Sequence, residues 1–176
     1  EMLGAASLKW NWHLDLIANR LEDVIEGRTR RLIINIPPRY GKSLIASVAL
    51  PSFILGRDSR AEIVSVSYSQ DLADKMASDT RRLMNSDWYQ SVFPTRLNSP
   101  RSRLSELRTV AGGNIIIIDD PLKPSEAASE TERQSVNRWF DSTATTRAND
   151  KERGAIVVIM QRLHEDDLVG HLLEQG

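Results

Sequence analysis

An apolar run, Leu32-Ile33-Ile34-Asn35-Ile36, stops at Pro37-Pro38, passes through Arg39-Tyr40-Gly41-Lys42-Ser43, and resumes as Leu44-Ile45-Ala46-Ser47-Val48-Ala49-Leu50. Two prolines end the apolar run, Gly-Lys-Ser follows, and the next apolar stretch has helical pattern. Strand, loop and helix follow one another directly, so the chain mixes both element types. The same layout suits a phosphate-binding loop. N–H groups at a helix N-terminus face an anion, and the helix dipole favours negative charge there. Lys42 would reach the β- and γ-phosphates, and the Ser43 hydroxyl would occupy a Mg²⁺ coordination position. The pattern G-x-x-x-x-G-K-[ST] is incomplete, because its first glycine position falls on Ile36. A helix start with an ordinary surface lysine is the alternative. The placement between a strand pattern and a helix pattern favours the phosphate loop.

A second segment strengthens that reading. Gly112-Gly113-Asn114 leads into four consecutive isoleucines, Ile115 to Ile118, and then Asp119-Asp120-Pro121. A β-branched run of this kind suits a strand covered on both faces. In an open α/β sheet, ligands bind at the carboxyl ends of the strands. Asp119 is placed to hold Mg²⁺ through its water shell. Asp120 is placed where many such ATPases keep a glutamate that orients the attacking water. Taken alone, Asp-Asp-Pro also reads as a turn; with a phosphate loop upstream, the metal site is preferred.

Periodicity places the remaining elements. Leu14, Ile17, Leu21 and Ile25 predict a helix over 12–26 that Gly27 closes. Strands are expected over 31–36, 62–67, 114–118 and 155–160. Helices are expected over 42–55, with a kink or early end at Pro51, over 70–85, with Ser69 as N-cap and Asp71 in the first turn, and over 126–145, anchored by Trp139 and Phe140. A last helix is expected from about Glu165, with Glu165, Asp166 and Asp167 in its first turn. Residues 93–113 have no period and read as loop. Strands alternating with helices imply a mainly parallel sheet with helices on both faces. At 176 residues this is one domain, or one with a small appendage. A net charge of −1 gives no overall field to attract nucleic acid, so any DNA contact must use a local patch. The clusters Arg28, Arg30, Arg31 and Arg96, Arg101, Arg103, Arg108 are candidates, with a solvated surface as the alternative. The absence of cysteine excludes disulfides and cysteine-held zinc. No apolar run approaches membrane-spanning length and no secretory signal is visible.

Gln161 follows the last strand, where a polar side chain could touch the γ-phosphate or the lytic water, or simply cap the strand. Pro-Pro-Arg-Tyr-Gly-Lys-Ser, Ile-Ile-Asp-Asp-Pro-Leu-Lys-Pro and Met-Gln-Arg-Leu-His-Glu-Asp-Asp-Leu-Val-Gly-His-Leu together resemble the ATPase domain of the large terminase subunits of tailed bacteriophages and prophages. The resemblance runs from about Trp12 to Gly176. It implies a P-loop NTPase fold of the type with an extra strand, here 155–160, between the phosphate-loop strand and the Walker B strand. Gln161 would belong to the motif that couples hydrolysis to movement. Arg39 would sense or stabilise the γ-phosphate. Trp12 and His13 would lie near the adenine; Trp12 would stack on the base, or else anchor its helix in the core.

The implied nucleotide-binding residues are then Pro38, Arg39, Tyr40, Gly41, Lys42, Ser43, Trp12 and His13. The implied metal ligands are Ser43 and Asp119, and the catalytic residues Lys42, Asp120, Arg39 and Gln161. The chain departs from the family in three respects. Asp120 replaces a common glutamate, the stretch between Ser99 and Asn114 is short, as if a loop within 97–114 were missing, and nothing matches the C-terminal nuclease domain. The expected activity is ATP hydrolysis, with Mg²⁺, driving double-stranded DNA into a procapsid in the cytoplasm of a bacterial host. Portal protein, small terminase subunit and further copies in a ring would be partners. Another DNA-dependent ATPase of helicase-like type, or a weakly hydrolysing nucleotide-dependent assembly module, are the alternatives.

Overall fold

The computed structural model describes residues 10–97, 115–144 and 154–175. Its centre is a four-stranded sheet. The strands are β1 (Arg31–Asn35), β2 (Ile63–Ser67), β3 (Ile115–Asp119) and β4 (Ala155–Met160), in the spatial order β1-β4-β3-β2. All three pairings are parallel. The last strand in sequence thus lies between the first and third. All six residues of β4 are buried, as its unbroken apolar sequence requires for a central strand.

Alternation along the strands divides the core. Ile117, Ala155, Val157 and Ile159 face one layer of helices, with Ile17, Leu21, Leu50, Ile54 and Tyr89. Ile116, Ile118, Ile156, Val158 and Met160 face the other, with Phe140, Leu168 and Val169. Helices therefore cover both faces. The first layer comprises α1 (Trp12–Ile25), α2 (Leu50–Arg57), α3 (Gln70–Met84) and α4 (Asp87–Val92); the second comprises α5 (Glu130–Trp139) and α6 (Leu168–Glu174). α1 buries Leu14, Ile17, Leu21 and Val24, at helical spacing. Ser69 caps α3 by accepting from the Leu72 N–H at 3.3 Å. No described helix is long and apolar enough to cross a membrane.

Three elements differ from the sequence expectations. The helix expected over 42–55 is π-helical across Leu44–Ala49 before becoming α2, and it runs past Pro51 to Arg57. Pro51 has no N–H to give the carbonyl of Ser47, four residues before it. That carbonyl instead lies 3.3 Å from the Thr80 hydroxyl, which also bonds Met76 at 2.9 Å. The helix expected over 126–145 is a 3₁₀ turn at Pro124–Glu126, then α5 from its Ser129 cap, then a π-helical turn at Phe140–Ala144. The last helix begins at Leu168, so Glu165 and Asp166 precede it and Asp167 is its N-cap. The short helix α4 gave no periodic signal. Of the stretch read as loop, 93–97 has no regular structure; residues 98–114, with the suspected join and Arg101, Arg103 and Arg108, lie outside the described residues.

Candidate active site

The carboxyl ends of the strands lie level. Asp119 pairs with Ser67 on one side and Ile159 on the other, and Asn35 pairs with Met160. The chain leaves each strand still bonded to its neighbour: Ile36 N–H donates to Met160 O at 3.2 Å, Asp120 N–H to Ile159 O at 3.0 Å, and Tyr68 N–H to Asp120 O at 3.2 Å. The phosphate-loop candidate, the two aspartates and Gln161 therefore share one edge of the sheet.

The loop after β1 turns through left-handed backbone at Arg39 (φ 69°) and Gly41 (φ 80°). Gly41 has no Cβ to oppose this, whereas Arg39 is a residue that seldom adopts it. The turn reverses the chain and starts the helix at Lys42, whose side chain points inward. Lys42 is only 6% exposed, and its Nζ lies 2.6 Å from Asp120 Oδ1. The same oxygen accepts the Gln161 N–H at 3.2 Å. Asp120 also has positive φ (45°), a conformation that Asp tolerates better than most residues. Its short side chain is aimed by this strained backbone, and such outliers concentrate at functional sites.

Asp119 is 1% exposed. Its Oδ2 accepts the Ser47 hydroxyl at 2.7 Å, while Oδ1 has no partner among the described residues. Burial pushes its carboxyl above the usual carboxylate range. The Ser47 bond and the nearby Ser43 hydroxyl pull it back; the charge of Asp120 raises it and that of Lys42 lowers it. An orphaned carboxylate oxygen beside a serine hydroxyl suits a hard cation. Mg²⁺ is commonly held by one or two carboxylates plus water and phosphate oxygens rather than by an all-protein cage. Ser43 and Asp119 fit that donor set. Among the described residues no cluster of three or more His, Cys, Asp or Glu side chains could hold a metal alone.

Trp12 and His13 occupy the first turn of α1. The His13 ring meets Tyr40 of the loop edge-on at 5.6 Å, and Trp12 meets His13 edge-on at 6.2 Å. Trp12 is 71% exposed, so it does not anchor its helix in the core. An aromatic ledge thus stands beside the loop. Pro38 and Arg39 are exposed on the loop's outer side.

Sequence reading missed two features. Ser47 was hidden inside an apolar helical run; its signal was a hydroxyl one turn beyond Ser43. The turn after Gln161 is built around Asp167, which is fully buried. Its carboxylate accepts N–H groups from Gly170, Leu163 and His164, at 3.1, 3.0 and 3.4 Å, and pairs with Arg162 Nε at 3.0 Å. Arg162 also donates to the His164 and Glu165 carbonyls, at 3.2 and 3.1 Å. The candidate DNA arginines within the described residues have protein partners. Arg28 pairs with Asp23 and Glu26, Arg31 donates to the Arg30 and Gly154 carbonyls, and Arg96 donates to the carbonyls of Gln90, Phe93 and Thr95. Searches against protein-family models and curated proteins match nothing to this chain.

Proposed function

We propose that this chain is a P-loop ATPase domain of the large-terminase type, with the added strand between the phosphate-loop and Walker B strands, which hydrolyses ATP to move double-stranded DNA. One observation carries the reading. Lys42, from the loop after β1, and Asp119-Asp120, from the end of β3, meet at the carboxyl edge of a parallel sheet, with Lys42 Nζ 2.6 Å from Asp120. The terminase assignment rests on the three motifs quoted above.

In this reading the helix N-terminus and the amides of Gly41 to Ser43 bind the phosphates, and Lys42 offsets their charge. Ser43 and Asp119 would hold Mg²⁺, which would supply positive charge to neutralise the phosphates. Asp120 orients the attacking water. Arg39 reaches the terminal phosphate from the exposed side, and the Trp12–His13–Tyr40 ledge contacts the base. Gln161 passes on the state of the phosphate: its N–H already bonds the Asp120 carboxylate, so a shift of Asp120 is felt at the start of the turn leading to α6. Ring assembly on a portal and delivery by a small subunit follow from the family type, as does the setting in a bacterial host.

Lys42→Ala tests the site, with ATP turnover expected to fall by about 10²–10³-fold or more. Unchanged turnover overturns the assignment. Asp120→Asn should spare nucleotide binding and lower turnover by about 10²–10⁴-fold. DNA affinity should fall steeply with salt and show little sequence preference, the signature of phosphate-backbone contacts. A second reading has its own support. Asp120 Oδ1 is shared by Lys42 and the Gln161 N–H, which leaves only Oδ2 for water. That favours a module that binds ATP and hardly hydrolyses it. Turnover measured alone and then with DNA and procapsid separates the two; strand-separation activity would instead indicate a helicase-like translocase.

A further inference from the structure

We infer that Ser47 is a positioning residue for the metal-facing carboxylate of Asp119, and that the π-helical segment with Pro51 is the device that presents it. The inference rests on the nucleotide–magnesium reading above.

Ser47 is 3% exposed and lies between Ala46 and Val48, both buried. A buried hydroxyl without a partner costs free energy that an alanine would avoid. Here its bond goes to Asp119 Oδ2, 2.7 Å away and 72 residues on in the chain. A carboxylate at the end of a strand can rotate about its terminal torsion, which has broad minima. Tying Oδ2 to Ser47 removes that freedom and leaves Oδ1, which has no partner among the described residues, as the oxygen available to a cation's shell. Ligating carboxylates are held in this way in many metal sites, and loss of such outer partners typically costs about 10–100-fold in metal affinity.

The backbone is arranged around the same contact. Leu44–Ala49 is π-helical, and the Leu50 N–H bonds the Ile45 carbonyl five residues before it. π turns inside helices are frequent at functional sites. Pro51 cannot donate to Ser47 O, and Thr80 of α3 lies 3.3 Å from that carbonyl. Ser47 is thus held from both sides, its carbonyl by α3 and its hydroxyl by β3. Ser43 and Ser47, one helical turn apart, would serve different shells: Ser43 the cation, Ser47 the carboxylate that holds it.

The experiment measures binding of a non-hydrolysable ATP analogue to the full chain by calorimetry, with Mg²⁺ and with EDTA. The readout is the ratio of the two dissociation constants. For Ser47→Ala the Mg²⁺ enhancement should shrink about tenfold or more, with metal-free binding within twofold of wild type. Ser47→Cys keeps the volume and only a weak donor, and should fall between the two; it also serves if the alanine variant fails to fold. Thr80→Val removes the hydroxyl at the Ser47 carbonyl together with its Met76 bond while keeping the Ser47 hydroxyl, and should shrink the enhancement less than Ser47→Ala does. A Ser47→Ala enhancement equal to wild type overturns the inference, as does an equal loss with and without Mg²⁺, which would mark a purely structural role. If wild type itself shows no Mg²⁺ enhancement, the nucleotide–magnesium reading fails and this inference with it. Those outcomes are distinguishable.

Discussion

Two aspartates, Asp119 and Asp167, are almost completely buried, and they are satisfied in opposite ways. Around Asp167 every direction is filled: three backbone N–H groups and the Arg162 guanidinium converge on it. Around Asp119 one oxygen accepts the Ser47 hydroxyl, while the other makes no hydrogen bond among the described residues and has only the Ser43 hydroxyl near the carboxylate. A buried carboxylate with a complete shell holds a turn together. One with half a shell raises the free energy of the fold, and such a group is retained where something else completes the shell. The contrast separates a structural carboxylate from a candidate functional one without reference to any relative.

The contrast can be broken by experiment. Asp167→Ala leaves Arg162 unpaired and three N–H groups without an acceptor, and should lower stability by about 3 kcal/mol or more in urea unfolding. Asp119→Ala should change it by less than about 1 kcal/mol, because loss of the Ser47 bond is offset by removal of a buried charge. Equal losses at the two positions would erase the distinction. Arg162→Lys keeps the charge at Asp167 but not the planar fork that also reaches two carbonyls. It should cost about 1–2 kcal/mol. Ser69→Ala removes a plain N-cap and should cost about 1 kcal/mol. Since Asp167 is also an N-cap, an Asp167→Ala loss no larger than that of Ser69→Ala would reduce Asp167 to a cap.

The smallest effect concerns pH. Burial raises the Asp119 pKa above its unfolded value of 3.8, so the folded state binds that proton more tightly. Wild type therefore loses stability as pH rises from 3.8 through the raised folded value. Asp119→Asn has no such proton. Its stability gain over wild type, without Mg²⁺ and nucleotide, should be complete above that window and vanish below it. A gain that grew on acidification would contradict the raised pKa.

Much of the fold is legible residue by residue. β4 spans 155–160 as its apolar run predicts, and α1 and α3 end within one residue of the expected bounds. These elements rest on local signals: β-branched runs, helical spacing, a serine cap. Prediction failed where a local signal was overridden. Of the kink or early end expected at Pro51, the early end does not occur, because a π turn precedes it and Thr80 reaches the carbonyl it leaves unserved. Glu165 and Asp166 read as a first helical turn, but Asp167 accepts the Leu163 and His164 N–H groups and holds them in a separate turn before the helix that it caps through Gly170. Gly170 is required there, since a Cβ would collide with the Glu165 carbonyl.

The chain's order of residues determined an α/β domain with a phosphate-loop candidate after one strand and a carboxylate pair after another, because apolar period, proline and glycine act over a few neighbouring residues. Tertiary structure alone decided that Lys42 meets Asp120 across 78 positions and Ser47 meets Asp119 across 72. No periodicity spans such separations. The pairing of β3 with β4, and of β4 with β1, brings the strand ends level, and the packing of helices on both faces closes the space between them. Which oxygen of Asp119 stays free is settled by that packing, since it depends on a hydroxyl from another layer and not on any residue nearby in sequence.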